Sequence, residues 1–319
     1  MLPYLSKRLL VSIPTLIAIS LVVFVILALA PGDPMGELAT NPAITAEVRE
    51  NLRRSLGLDQ PIYIRYFKWA IAFVRGDMGY SFVSRRPVVE LLVHRLPATF
   101  WVIGSAYLLA VLLALPLGLI SAFKRYSLLD RFSTMFAFFW FSLPTFFTGL
   151  LFIIVFSVQL RWLPFVYNST LQVTDWQTFM EQVRQSFMPV CVLGLYQSAL
   201  LMRFVRSSIL EQVNQLYVRT AYAKGLSEFT VAMRHIFRNA MIPIVTLVAL
   251  NIPGIFTGAL VTEQIFRVPG IGALLIESIY RSDTPVVMAV TLIYAILIVL
   301  FNLVADLIYG ILDPRVNVR

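Results

Sequence analysis

The chain has 319 residues, 59% of them hydrophobic and only 13% charged, with a formal net charge of +9. That balance excludes a soluble domain and defines a polytopic membrane protein. The basic excess does not point to nucleic acid, because Lys and Arg are spread through loops beside apolar runs and form no long stripe. Cys191 is the only cysteine, so no internal disulfide can form.

A spanning helix needs about 20 mostly apolar residues. Six segments qualify, Leu9–Ala30, Ala98–Phe123, Phe132–Leu160, Phe187–Leu210, Ala240–Thr262 and Val286–Ile311, which predicts an all-α fold of six transmembrane helices. The first is preceded by Lys7-Arg8 and ends in Ala28-Leu29-Ala30, as a signal peptide would. Its apolar run is longer than the roughly 7–15 residues of a signal core, so a retained anchor is expected. The chain thus divides into an N-terminal segment and first span (1–30), an extracytoplasmic segment (31–97) and a five-span core (98–319) with a cytoplasmic loop at 211–239.

The segment 31–97 opens on Pro31-Gly-Asp-Pro34, a turn that ends the first span. Thr45 is expected to cap a helix through Glu47, Arg49, Arg53 and Leu56, stopped at Gly57. Tyr63, Tyr66, Phe67, Trp69, Ile71 and Phe73 then make an aromatic stretch suited to a membrane interface. Two readings stay open for this segment: a helical cap packed on the outer ends of the spans, and a surface that receives a soluble partner. In the second outer loop Asn168-Ser-Thr170 matches a glycosylation acceptor, a three-residue pattern that recurs by chance.

Pro14, Pro116 with Gly118, Pro144 with Gly149, Gly194, and Pro253 with Gly254 and Gly258 mark places where spans bend or pack closely. Orientation follows from the basic residues. Thirteen lie on one side: Lys7, Arg8, Lys124, Arg125, Arg131, Arg203, Arg206, Arg219, Lys224, Arg234, Arg238, Arg315 and Arg319. The short loops opposite hold four, Arg161, Arg184, Arg267 and Arg281. Nine more fall in the long 31–97 segment, where charge has little influence on crossing. Both termini are therefore expected in the cytoplasm.

Chemistry-bearing patterns are scarce. No Gly-x-x-x-x-Gly-Lys-[Ser/Thr] cradle occurs, so the chain is not expected to bind ATP by a phosphate loop. His94 and His235 fall on opposite predicted sides and form no metal site. Asp306 is the one acid read as lying well inside an apolar run, near the inner end of the last span. Arg203 and Arg206 sit near the inner end of the fourth, where long side chains snorkel. These features argue against an enzyme and against an autonomous ion-driven carrier.

The loop at 211–239 is the most informative stretch. Val218, Tyr222 and Leu226 recur at helical spacing, flanked by Tyr217 and Ala221, with Arg219 and Lys224 as a charged rim. Gly225 can end a helix in the left-handed conformation, and Ser227 can cap the next. This predicts a helix, a sharp corner and a second helix through Phe229, Met233, Ile236 and Phe237 towards Pro243. Such an element either docks a cytoplasmic partner or rests on lipid headgroups.

Arg219-Thr-Ala-Tyr-Ala-Lys-Gly-Leu226, followed by Arg238-Asn-Ala-Met-Ile-Pro243, resembles the cytoplasmic loop of permease subunits of binding-protein-dependent ABC importers, in the dipeptide/oligopeptide/nickel branch. The likeness runs through almost the whole chain, at Pro31-Gly-Asp-Pro34, Leu56-Gly-Leu-Asp-Gln-Pro61, Gly76-Asp-Met-Gly79, Arg95-Leu-Pro-Ala-Thr99, Phe266-Arg-Val-Pro-Gly-Ile-Gly272 and Asp313-Pro314. Where importers in general have Glu-Ala-Ala, this chain has Arg219-Thr220-Ala221, as is usual in the peptide branch, and Tyr222 stands where an Arg is expected.

The resemblance implies the type I ABC importer permease fold in a bacterial inner membrane. It also implies a second homologous permease subunit, two cytoplasmic ATPase subunits that bind the ATP, and an extracytoplasmic solute-binding protein. The ATPase-docking coupling helix would comprise Tyr217, Val218, Arg219, Thr220, Ala221, Tyr222, Lys224, Gly225 and Leu226, with its apolar face buried in the ATPase groove. The substrate expected is a small peptide, with glutathione, nickel complexes or another small solute as alternatives. No cofactor or metal is expected in this chain.

Overall fold

The computed structural model describes residues 2–29, 47 and 59–312. The helix expected between Thr45 and Gly57 lies outside the described residues. The elements in chain order are α1 (Leu2–Leu29), α2 (Ile62–Val74), α3 (Val88–Phe123), α4 (Leu128–Ser142), α5 (Thr145–Phe152), α6 (Trp176–Val213), α7 (Leu216–Ala223), α8 (Arg238–Ile265), α9 (Ile271–Tyr280) and α10 (Thr284–Leu312). Wider turns at Ile153–Gln159 and Val231–Phe237 extend α5 and lead into α8. Among the described residues five helices are long and apolar enough to cross a membrane, and the bent pair of α4 with α5 and its extension supplies a sixth if it counts as one span.

That bend falls at Pro144, one of the places marked for bending, inside the span predicted over Phe132–Leu160. Proline disfavours the helical region for the residue before it, and Leu143 is extended at φ −95°, ψ 124°. The chain restarts as a helix after Pro144 with its axis turned by 99°. Pro14 and Pro116, also expected to bend spans, sit inside continuous helices.

The described residues form two compact units, one built on Phe100–Val268 and the other on Ser6–Thr99 with Pro269–Val299. In the first, small residues bring α3 and α6 together. A Cβ added at Gly118 would lie 2.6 Å from Val205 Cγ1, and one at Gly194 would lie 3.0 Å from the Ala106 carbonyl oxygen. Close backbone approach of this kind is how helices gain contact in lipid, where apolar burial alone gives no driving force. Around this crossing Ala110, Ala114, Ala137, Ala199, Leu201 and Met202 form a core from α3, α4 and α6, with Leu247 and Val248 of α8 packed on it.

The second unit is tied by long-range polar contacts. The Ser81 hydroxyl and the Phe82 amide donate to the buried Asp283 carboxylate at 2.5 and 3.0 Å. The first amide of α9, Ile271, donates to the Thr99 hydroxyl at 2.9 Å. Helix α9 was not expected, because Pro269-Gly-Ile-Gly272 reads as a turn and its ten residues are too few to span.

Candidate functional site

The loop between α6 and α8 folds as three linked pieces. Gln215, extended at φ −73°, ψ 149°, separates α6 from α7 and accepts the Val218 amide at 3.1 Å. Helix α7 ends in a Schellman closure: the Leu226 amide donates to the Ala221 carbonyl at 3.3 Å and the Gly225 amide to the Tyr222 carbonyl at 2.9 Å. Gly225 takes φ +76°, the left-handed conformation that this closure requires and that a Cβ disfavours. Ser227 then begins the next helical turn, accepting the Thr230 amide at 3.4 Å. The sequence-level reading of helix, glycine corner and serine cap matches this geometry.

The next turn, Val231–Phe237, is wide, with bonds reaching five residues back. In an α-helix positions five apart diverge, but here Val231 and Ile236 both turn inward. They join Val218 and Ala221 of α7, Ala122 of α3, Val205 and Ile209 of α6, and Ala240 and Ile244 of α8 in one buried cluster. Three spans thus clamp α7 by its inner face.

This placement corrects one expectation. Val218 (2% exposed) and Ala221 (5% exposed) face the chain's own core and cannot enter a partner's groove. Tyr217, Arg219, Thr220, Tyr222, Lys224, Gly225 and Leu226 lie on the exposed side, together with Leu216 and Phe229. The periodicity misled because Tyr222 and Leu226 follow Val218 at helical spacing; the tyrosine stays half-exposed, and the Gly225 corner turns Leu226 away. Arg219, Lys224, Arg234 and Arg238 are exposed, and among the described residues none of the four is ion-paired.

Beside this cluster the Arg206 guanidinium donates to Asp130 at 3.1 and 3.2 Å and to the Ser121 hydroxyl at 2.8 Å. Asp130 also accepts the Tyr126 amide at 2.9 Å. The network joins the ends of α3, α4 and α6. Sequence reading took Arg206 to reach headgroups and passed over Asp130, because the two are far apart in the chain and the acid sits among loop residues. Arg203 instead lies over the Phe138 and Phe141 rings, 5.5 Å from each centroid. Glu263, fully buried near the end of α8, was also missed, since it stands just beyond Thr262, where the predicted span ends.

Residues 114–318 match the family described as binding-protein-dependent transport system inner membrane component, and residues 1–103 match its N-terminal companion. The chain is 41% identical to the oligopeptide transport system permease protein AppB of Bacillus subtilis (strain 168), over 99% of this chain and 100% of that protein. It is 38% identical to the glutathione transport system permease protein GsiC of Escherichia coli (strain K12), over the whole of both. Its fold is similar to a crystal structure of an amino acid ABC transporter with histidines, with a TM-score of 0.54, 14% identity and coverage of 69% of this chain and 94% of that one.

The chain belongs to the family of inner-membrane components of binding-protein-dependent transport systems. It is a multi-pass permease, a transport subunit of a class that is not itself enzymatic.

Proposed function

We propose that this permease pairs with a second, homologous permease to form the pathway of an ABC importer for small peptides. Two cytoplasmic ATPase subunits bind the ATP, an extracytoplasmic solute-binding protein delivers the substrate, and both termini of this chain lie in the cytoplasm. The observation that carries the reading is the two-sidedness of α7. Its inner face is locked to the ends of three spans through Val218 and Ala221, while its outer face presents Tyr217, Arg219, Thr220, Tyr222, Lys224 and Leu226. A rigid element of this kind passes a partner's movement to the spans, which a slack loop cannot, and alternating access needs such a two-state lever. The unpaired basic rim favours an acidic margin on the ATPase groove.

The peptide assignment is supported by the relatives, whose names specify oligopeptide and glutathione, itself a short peptide. The assembly is tested by purifying the tagged permease from its native membrane and identifying what accompanies it. Two ATPase subunits and a second permease are expected in stoichiometric amount. A chain that purifies alone and transports peptide in vesicles without ATP would overturn the proposal in favour of an autonomous carrier.

A further inference from the structure

Helix α2 is amphipathic on three strips. One packs on α1: the Tyr66 hydroxyl shares a hydrogen bond with Ser20 at 2.9 Å, the Tyr66 and Phe24 rings meet edge to face at 5.5 Å, and Trp69 and Ala70 join Leu27 and Ala28 around them. The Tyr66 hydroxyl also approaches the Ile17 carbonyl. The direct contacts on α1 therefore run from Ile17 to Phe24, which at 1.5 Å per residue is a rise of about 10 Å, and Leu27 and Ala28 pack on the same cluster. Because the apolar run of α1 is Leu10–Leu29, α2 packs alongside that run and not past its end.

The second strip is Tyr63, Phe67, Ile71 and Val74, which are 65%, 61%, 53% and 86% exposed. Their spacing of four, four and three residues puts them on one side of the helix. The third strip is basic: Lys68 and Arg75 are exposed beside the apolar stripe, Lys68 holding Gln60 at 2.8 Å. Immediately after Val74 the chain turns polar, with Gly76 at φ +86° and the Asp77 carboxylate accepting the Gly79 amide.

We propose that α2 lies within the leaflet at the Leu29 end of α1, with lipid acyl chains as the partner of Tyr63, Phe67, Ile71 and Val74. Lys68 and Arg75 reach out to the phosphate groups, as long basic side chains do at such a boundary. Two observations select lipid: the packing of α2 alongside the apolar run of α1 through Ile17, Ser20 and Phe24, and the basic edge beside the apolar stripe.

The test uses the full-length chain in nanodiscs of zwitterionic and anionic phospholipid. In a Cys191→Ala background, single cysteines replacing Phe67, Ile71, Val22 or Asp77 carry a nitroxide label. Collision rates are read with molecular oxygen, which concentrates in hydrocarbon, and with a water-soluble nickel chelate. Labels at positions 67 and 71 should show the high oxygen-to-nickel ratio of position 22 on α1, inverted at position 77. Nickel collisions at 67 and 71 matching those at 77 would put the stripe in water and overturn the proposal. Exclusion of both reagents would show a protein covering the stripe and overturn it equally. Agreement between the two stripe positions guards against a local disturbance by either label, and the readout does not depend on the ATPases, so failure of the assembly proposed above leaves it intact.

Discussion

The Leu226 amide bonds to the Ala221 carbonyl at 3.3 Å across Gly225, so the residue that anchors α7 from within also accepts the bond that closes its end. Anchor and corner are one unit, and the direction in which the chain leaves α7 depends on both.

Gly225 should therefore be sensitive for its backbone and not for its space. A Cβ there meets nothing within 4 Å, but φ is +76°. Gly225→Val should cost about 1–2 kcal/mol through backbone strain, while Gly225→Asn, which tolerates the left-handed region, should be close to neutral. Thermal unfolding of the detergent-solubilised variants, with ATP-driven uptake in vesicles, measures both. Equal behaviour of Val and Asn would remove the conformational argument.

Gly118 is the opposite case, limited by space. Its added Cβ would sit 2.6 Å from Val205 Cγ1 and 3.1 Å from the Met202 carbonyl oxygen. Overpacking of this kind costs about 1–3 kcal/mol, so Gly118→Ala should lower the unfolding temperature. Val205→Ala should recover part of the loss in the double variant, because the two sites are in direct contact. Strict additivity would show that α3 and α6 do not approach as closely as described.

The pair of Arg206 and Asp130 should behave as a coupled unit. Asp130→Ala strands a guanidinium that is 30% exposed in a membrane-end environment, and Arg206→Ala strands a carboxylate that is 7% exposed. Each should destabilise by about 1–3 kcal/mol, the range for an uncompensated buried polar or charged group, with the better-solvated Arg206 at the lower end. The double variant should lose less than the sum. A thermal-shift double-mutant cycle reads this directly, and a coupling energy of zero would mean the pair is ornamental.

What was legible in the sequence was mostly local. The corner after α7 could be read because Gly225 and Ser227 act on their own neighbours, and the spans because hydrocarbon length sets helix length. The break at Leu143-Pro144 carried a local signal too, but Pro14 and Pro116 carry the same signal inside unbroken helices. Whether a span breaks is decided by the packing around it. Helix α9 could not be read, since its first amide is satisfied by Thr99, far back in the chain. The same holds for Asp130 and Asp283, whose partners Arg206 and Ser81 are brought to them only by the fold. The outer face of α7 was half legible: periodicity marked an apolar strip on the helix, but only the cluster with Ala122, Val205 and Ile244 shows that Val218 and Ala221 belong to the interior.

Whether the outer face of α7 docks the ATPases while its inner face anchors the helix is decided by ATPase co-purification with the Tyr222→Glu, Lys224→Glu double variant. The amount recovered is normalised to correctly folded permease by gel filtration. Both residues are exposed, so the variant should insert and elute as the parent does but lose its ATPase subunits. A double variant that retains them at parental stoichiometry would contradict the account.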